Sequence, residues 1–483
     1  MAGRFARYFL TFLVAASALL SACGGDEKGS LFDGLTGTRK TFWAQNVDDD
    51  TYYQVQATRV AEGTHCYIYL QDGLEAGQAT IENLLYEFDN RIYPTDTTWF
   101  GSEPNPGADG DPKIYILLLD IHQIGTAETG FVSGYFSNIN EYSRAVSSDG
   151  FVRPYSNQKE MFYVDIVRQT ADDPFVLRTL AHEFQHMIHW EQKFHQRGVV
   201  DDLWVNEAMS EGASSLCYGP DPGRIELFQN TQAYSNPLSS FDSSLADYSK
   251  VALWSQYVLD QCPDNVFRLA LQSTDTGAAS VNTALAGTGK SFATLFEDWT
   301  MANLVSANPL LGDIAASNGH PEWRYNAVSM PRVVTSLTDN ASFGTSSEEV
   351  GPLRQFSSAY RLYRPSNGPD GGINWTQSVG LTAAFLFDLG NGTVEQLASG
   401  VSKSYSSSAY VVFRNSTLSD AGLPDNVVFS SLAGPARVRA QGVVSASPAP
   451  RARATTGGRA ICGAGHATYS DSWLRANGFR LDF

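Results

Sequence analysis

No pair of cysteines stands in a CxxC arrangement, and the 483 residues hold only five cysteines, so a zinc centre built on thiolates has no support. Basic residues are also scarce: 33 Lys and Arg face 51 Asp and Glu, a formal net charge of −18 with a pI near 4.8. Such a chain repels phosphate backbones, which excludes nucleic acid as an expected partner. No apolar run is long enough to span a bilayer, since the longest, from about Tyr8 to Leu20, falls short of the roughly 20 residues required. The acidic runs Asp48-Asp49-Asp50 and Asp109-Gly110-Asp111 could meet Ca²⁺, but neither has the alternating register of an EF-hand loop. Solvated turns are the expectation there, and no structural calcium site is supported.

What is present begins with an address. Arg4 and Arg7 precede the apolar run, and Leu20-Ser21-Ala22-Cys23 follows it, the layout of a secretory signal. A leucine three residues before a cysteine, with small residues between, resembles the bacterial lipobox. The resemblance implies lipidation of Cys23 and a membrane anchor; Gly24 after it hints at the outer membrane. Setting Cys23 aside leaves Cys66, Cys217, Cys262 and Cys462. In an oxidising compartment these could form up to two disulfides, with no pairing legible. Cys217, at the end of a helical stretch, reads as structural or buried rather than as a nucleophile.

Composition, 43% hydrophobic and 12% aromatic, supports two or three folded domains. The expected layout is a lipoprotein signal over 1–22, a Gly/Asp/Thr/Lys-rich tether over 23–40, and a β-rich part over 41–170. A helical, metal-binding part over 171–330 follows, then a β-sandwich-like region over 331–445 and a Pro/Ala/Arg-rich linker and tail over 446–483. Ile81, Leu84, Leu85 and Phe88 mark one face of a helix over 76–91, and 113–121 and 161–167 read as strands. Short alternating segments at 359–364, 381–389 and 409–413 carry the second β-rich region. The last residues, 461–483, have no period: a small module stapled by Cys462, or an out-of-frame reading.

The decisive segment runs from Asp172 to His186 (DDPFVLRTLAHEFQH). Aspartate before Pro174 is a helix start, with the acid as N-cap and proline at the first position. The helix should run to about Gly198. His182 and His186, four residues apart, stack on one face and can converge on one tetrahedral ion. Glu183 sits about 100° round the helix, placed to reach a metal-bound water as a general base rather than to ligate. A second helix from Asp201 to before Gly219 carries Glu207 as a third ligand, with Asn206 beside it and Glu211 one turn on as an orienting carboxylate. His189, also on the first helix, should pack or face the cleft, because one helix rarely offers three turns to one ion.

HEFQHMIHW (His182 to Trp190) with NEAMSE (Asn206 to Glu211) resembles the gluzincin metallopeptidases, most closely the hyicolysin family of secreted bacterial neutral peptidases. Over about Thr41 to Met330 the resemblance implies a thermolysin-type α+β catalytic domain with a mixed sheet, zinc on His182, His186 and Glu207, Glu183 as base, and Glu211 in the outer shell. Thermolysin-type relatives usually carry aspartate at the Glu211 position. It also implies protein or peptide substrates and an oxyanion donor after the second helix. Tyr248, opening a helical stretch over 248–261, is the candidate, with Tyr218 and His320 behind it. A GAMEN-type exopeptidase segment is absent, which favours an endopeptidase; an exopeptidase, or a surface-binding lipoprotein on the same fold, are the alternatives. Oligomeric state is not legible.

Overall fold

The computed structural model describes residues 38–326 except 128, 147–149, 151, 263–264 and 307. Beyond these it describes 333–334, 338–340, 347–349, 353–363, 371–377, 382–398, 403–405, 409–416, 427–432 and 460–461. The expected signal, Cys23, the tether up to residue 37, Cys462 and nearly all of the tail lie outside the described residues, and the first strand begins at Arg39, inside the stretch expected to be tether.

The N-terminal part is a six-stranded mixed sheet. Its strands are β1 (Arg39–Gln45), β2 (Tyr52–Glu62), β3 (Cys66–Gln71), β4 (Ile114–Leu119), β6 (Gly134–Phe136) and β7 (Met161–Asp165), with the short β5 (Phe131–Val132) just before β6. The order is β1-β2-β3-β4-β7-β6. The β3-β4 and β4-β7 pairs are parallel and the others antiparallel, so β6 is an edge strand. β4 is buried at every residue, which explains its unbroken apolar sequence: both faces are covered. One face packs Phe42, Tyr69, Leu117 and Tyr163; the other packs Ile68, Ile116 and Phe162 against helices.

Helix α1 (Gln78–Glu87) runs through a wide turn at Phe88–Ile92 into α2 (Tyr93–Phe100), longer than its apolar stripe indicated. Helices α3 (Pro174–His189), α4 (Leu203–Tyr218), α5 (Pro222–Thr231) and α6 (Leu245–Gln261) follow, then α7 (Val266–Leu271), α8 (Gly277–Ala284), α9 (Phe292–Val305) and α10 (Pro309–Ser317). No described helix is long and apolar enough to cross a membrane.

The C-terminal part holds two sheets. One contains Thr393–Leu397, Thr382–Asp388, Ala409–Asn415, Ser357–Tyr363 and Thr338–Asn340 in that order; the other contains Lys403–Tyr405, Gly371–Gln377, Val427–Leu432 and Ser347–Glu349. Cys66, Cys217 and Cys262 are buried, and no disulfide joins cysteines among the described residues.

Candidate metal centre

Helix α3 starts where the sequence places it. Asp173 accepts the Phe175 N–H at 2.8 Å and Pro174 fills the first turn. After His189 the chain continues through a wide helical turn, Trp190–His195, in which one residue is inserted per turn. The helix lies against the edge of the sheet because Gly134 lets it. An added Cβ at Gly134 would fall 2.5 Å from the Thr179 methyl and 2.7 Å from the Tyr163 carbonyl. Arg178 of α3 donates to the Gly219 and Tyr218 carbonyls at 2.8 and 2.9 Å, and Ser214 of α4 donates to the Arg178 carbonyl. The end of α4 is thereby pinned to the start of α3.

This crossing brings His182, His186 and Glu207 together with almost no solvent exposure. One ligand atom from each lies within 4.8 Å of the others. Glu207 Oε2 is 3.2 Å from His182 Nε2, and Oε1 is 3.6 Å from His186 Nε2. Four ligands at about 2.0–2.1 Å from a tetrahedral ion stand roughly 3.3 Å apart, so these separations suit a zinc-sized ion. Both nitrogens of His182, Nε2 of His186 and all four carboxylate oxygens of Glu183 and Glu207 are buried without a hydrogen-bond partner among the described residues. Seven such atoms in one place cost too much for a structural cluster. His182, His186 and Glu207 could hold a metal ion, and a set of two imidazoles and a carboxylate suits zinc better than calcium or magnesium.

The tautomer of His186 is set from α4. Its Nδ1 lies 3.0 Å from Asn206 Oδ1 and 3.0 Å from Ser210 Oγ. Ser210 gives its proton to Gln185 Oε1 at 2.5 Å, so its oxygen can only accept. Nδ1 therefore carries the hydrogen and Nε2 keeps its lone pair facing Glu207.

Burial holds the His182 imidazole well below its ordinary pKa, with lesser contributions from His186 and Arg224. Burial likewise takes His186 to about 3, against the opposing bond to Asn206. Both rings are thus neutral, the form in which an imidazole can ligate. The carboxyls go the other way. Burial pushes Glu207 well above the usual range, helped by the charges of Glu183 and Glu211. Burial also raises Glu183, with the Phe136 amide of β6 pulling back and Glu211 adding to the rise. A cation between them is what would let these acids ionise.

The other residues singled out in the sequence are placed as follows. Glu211 Oε1 stands 3.7 Å from His182 Nδ1, beyond hydrogen-bond length. Its bonds go instead to Arg224: Nε to both oxygens at 3.1 Å and Nη2 to Oε1 at 2.6 Å. Tyr248 is buried, its ring centre 6.4 Å from that of His182 and 5.0 Å from the Arg224 guanidinium carbon. Tyr218 bonds Glu87 and His320 stacks on Trp323, so both are engaged elsewhere. His189 bonds Asp201 at 3.2 Å and stays out of the ligand cluster.

Two residues that sequence reasoning passed over belong to the site. Ser210 sits one turn after Asn206 on the same face of α4, a spacing that could have flagged it. Arg224 follows the Gly219-Pro220-Asp221-Pro222 turn, where nothing in the pattern distinguishes it from a surface arginine.

A curated relative is similar to this chain. It is the neutral metalloprotease ShpI of Staphylococcus hyicus, 29% identical over 220 residues, which are 42% of this chain and 48% of the relative. The chain therefore spans about half the length of the curated relative it matches. No family model matches.

Proposed function

We propose that this protein is a zinc-dependent endopeptidase of the gluzincin type, close to the hyicolysin family, with His182, His186 and Glu207 holding the ion and Glu183 as general base. The observation that carries the reading is the buried, unanswered His-His-Glu donor set with the Glu183 carboxyl beside it. The similarity to a neutral metalloprotease supports the reading.

Bound zinc supplies a Lewis acid that lowers the pKa of a water toward about 7 and polarises a carbonyl. Glu183, one residue after the first ligand, takes the proton of the attacking water and delivers it to the departing amine nitrogen. Asn206 and Ser210 hold His186 in the ligating tautomer. Arg224 holds Glu211 near the free nitrogen of His182. Tyr248, against His182, is the proposed donor to the oxyanion. A peptide suits the site because β6, the last strand of the sheet, runs beside α3, and an edge strand can take an extended chain by backbone pairing.

Glu183→Gln is the direct test. With zinc determined on both proteins, casein cleavage should fall by about 10²–10⁴-fold while metal content stays near one ion per chain. A wild type that binds zinc and cleaves nothing would sink the peptidase reading, and a protein that binds no zinc would sink the site. Release of internal fragments rather than single terminal residues separates endo- from exopeptidase action.

We also propose export and lipid anchoring through Cys23 at the bacterial envelope, at the outer membrane or cell surface, on the strength of the leader pattern. Labelling with a radioactive fatty acid should mark the full-length chain and not Cys23→Ala. The C-terminal sheets are proposed to form a β-sandwich-like domain.

A further inference from the structure

Buried acid without an answering donor occurs at a second place. Glu141 ends the short helical turn Asn138–Glu141 that follows β6, and Glu160 stands immediately before β7. Both carboxylate oxygens of Glu141 and Oε2 of Glu160 are sealed from solvent with no hydrogen-bond donor among the described residues. Glu160 is 2% exposed, and its other oxygen, Oε1, takes the Ala108 N–H at 2.5 Å. The two carboxyls lie within hydrogen-bonding reach of each other, and Glu191 and Asp109 add negative charge around them.

The surrounding chain is shaped to this acid. Gly107, at φ +73°, lies so close that an added Cβ would fall 1.8–2.1 Å from the three carboxyl atoms of Glu160. The loop backbone therefore closes directly onto the carboxylate.

A single shared proton would answer two of the three orphaned oxygens and leave the third, and the field of the neighbouring acids, uncompensated. Asp109 is already spent on Lys159 at 2.9 Å, and Glu191 on His195 at 2.6 Å. The free donors are all oxygens, with no imidazole or thiolate among them. That is the chemistry of a hard cation, and Ca²⁺ completes six to eight ligands from carboxylates, backbone carbonyls and water.

We propose that Glu141 and Glu160 are the carboxylate ligands of a structural calcium ion that clamps residues 104–110 and the turn after β6 onto the sheet. The site is separate from the His-His-Glu centre and stands whether or not the protein is a peptidase.

The test uses the chelator-treated full chain reloaded with one equivalent of zinc, then titrated with Ca²⁺ and, separately, Mg²⁺. Thermal unfolding and hydrogen exchange are followed. Calcium is expected to raise the wild-type Tm and slow exchange in 104–110 and 138–142, with magnesium giving the smaller response. Glu141→Gln is expected to lose the calcium response. In calcium-free buffer it should melt at or above the wild type, since a like-charge pair has gone. No calcium effect on the wild type would overturn the proposal in favour of a shared proton. So would a full response in Glu141→Gln, or a larger response to magnesium. Should Glu141→Gln fail to fold, exchange in the wild type decides by itself: protection elsewhere than in these two segments overturns the site.

Discussion

At the scale of single residues, the proposed metal centre depends on groups beyond its three ligands. Asn206 and Ser210 share the Nδ1 hydrogen of His186, and either loss leaves that ring freer to turn. Asn206→Ala or Ser210→Ala should weaken zinc binding by about 10–100-fold, measured by competition with a chelator, while the far-ultraviolet circular dichroism stays unchanged. Asp96 carries a different lesson. It is fully buried, its Oδ2 has no partner among the described residues, and Oδ1 has only the Cys217 thiol at 3.8 Å. Burial raises its pKa well above the ordinary value, the thiol contact opposing weakly. A carboxyl whose folded pKa is raised contributes its full stability below the unfolded value of about 3.8 and loses it as pH climbs through the folded one. Asp96→Asn is neutral throughout. The variant should therefore match the wild type near pH 4 and exceed it by pH 8, by at least about 1 kcal/mol. Urea melts at the two pH values check this, and a difference that shrinks with pH would refute it.

At the scale of elements, helix α3 is held by what it lies against. Gly134→Ala would drive a methyl into Thr179 and the Tyr163 carbonyl and push β6 away from α3. The expected cost is about 1–3 kcal/mol in denaturant unfolding, with zinc affinity falling as well. Helix α3 and the meeting of its two histidines with Glu207 of α4 were legible in the sequence because a cap, a proline and a spacing of four each fix geometry locally. Other boundaries were not. The helix read from Tyr248 begins at Leu245, because Ser244 and Asp247 form a reciprocal cap. Asp202 occupies the N-cap position of α4 without a side-chain cap bond. Its neighbour Asp201 is committed instead to His189 and to the Gly277 amide, contacts across 12 and 76 residues that no local pattern encodes. The wide turns at Phe88–Ile92 and Trp190–His195 left no mark in the periodicity either, since an inserted residue shifts an apolar stripe without breaking it. Arg224 was invisible for the same reason: its meaning lies in Glu211, 13 residues away along the chain.

At the scale of the whole molecule, the helical region and the C-terminal sheets share one core. Arg414, on Ala409–Asn415, donates to the Glu297 carbonyl and carboxylate at 3.0 and 3.1 Å, and Tyr360 donates to the Thr300 carbonyl at 3.0 Å. Leu238 N–H meets the Phe356 carbonyl at 2.8 Å, and Phe356 packs on Phe292 and Phe296. The boundary placed near 330 in the sequence thus separates two patterns of periodicity rather than two independent cores. Calorimetry should show one cooperative transition for the zinc-loaded chain, and two well-separated ones would contradict the shared core. Removal of residues 331–483 should leave the remainder insoluble, because the apolar side of α9 loses its cover.

The seven unanswered polar atoms at the crossing of α3 and α4 bear on how such a protein disappears. On the peptidase reading, a copy that loses its ion keeps those groups buried at full cost, opens more readily, and becomes a substrate for copies still loaded. Loss of metal then removes the molecule rather than idling it. Total protein should decay fastest at half loading, at a rate proportional to the product of loaded and stripped concentrations. A large excess of chelator should arrest the decay, because no loaded copy is left to carry it out.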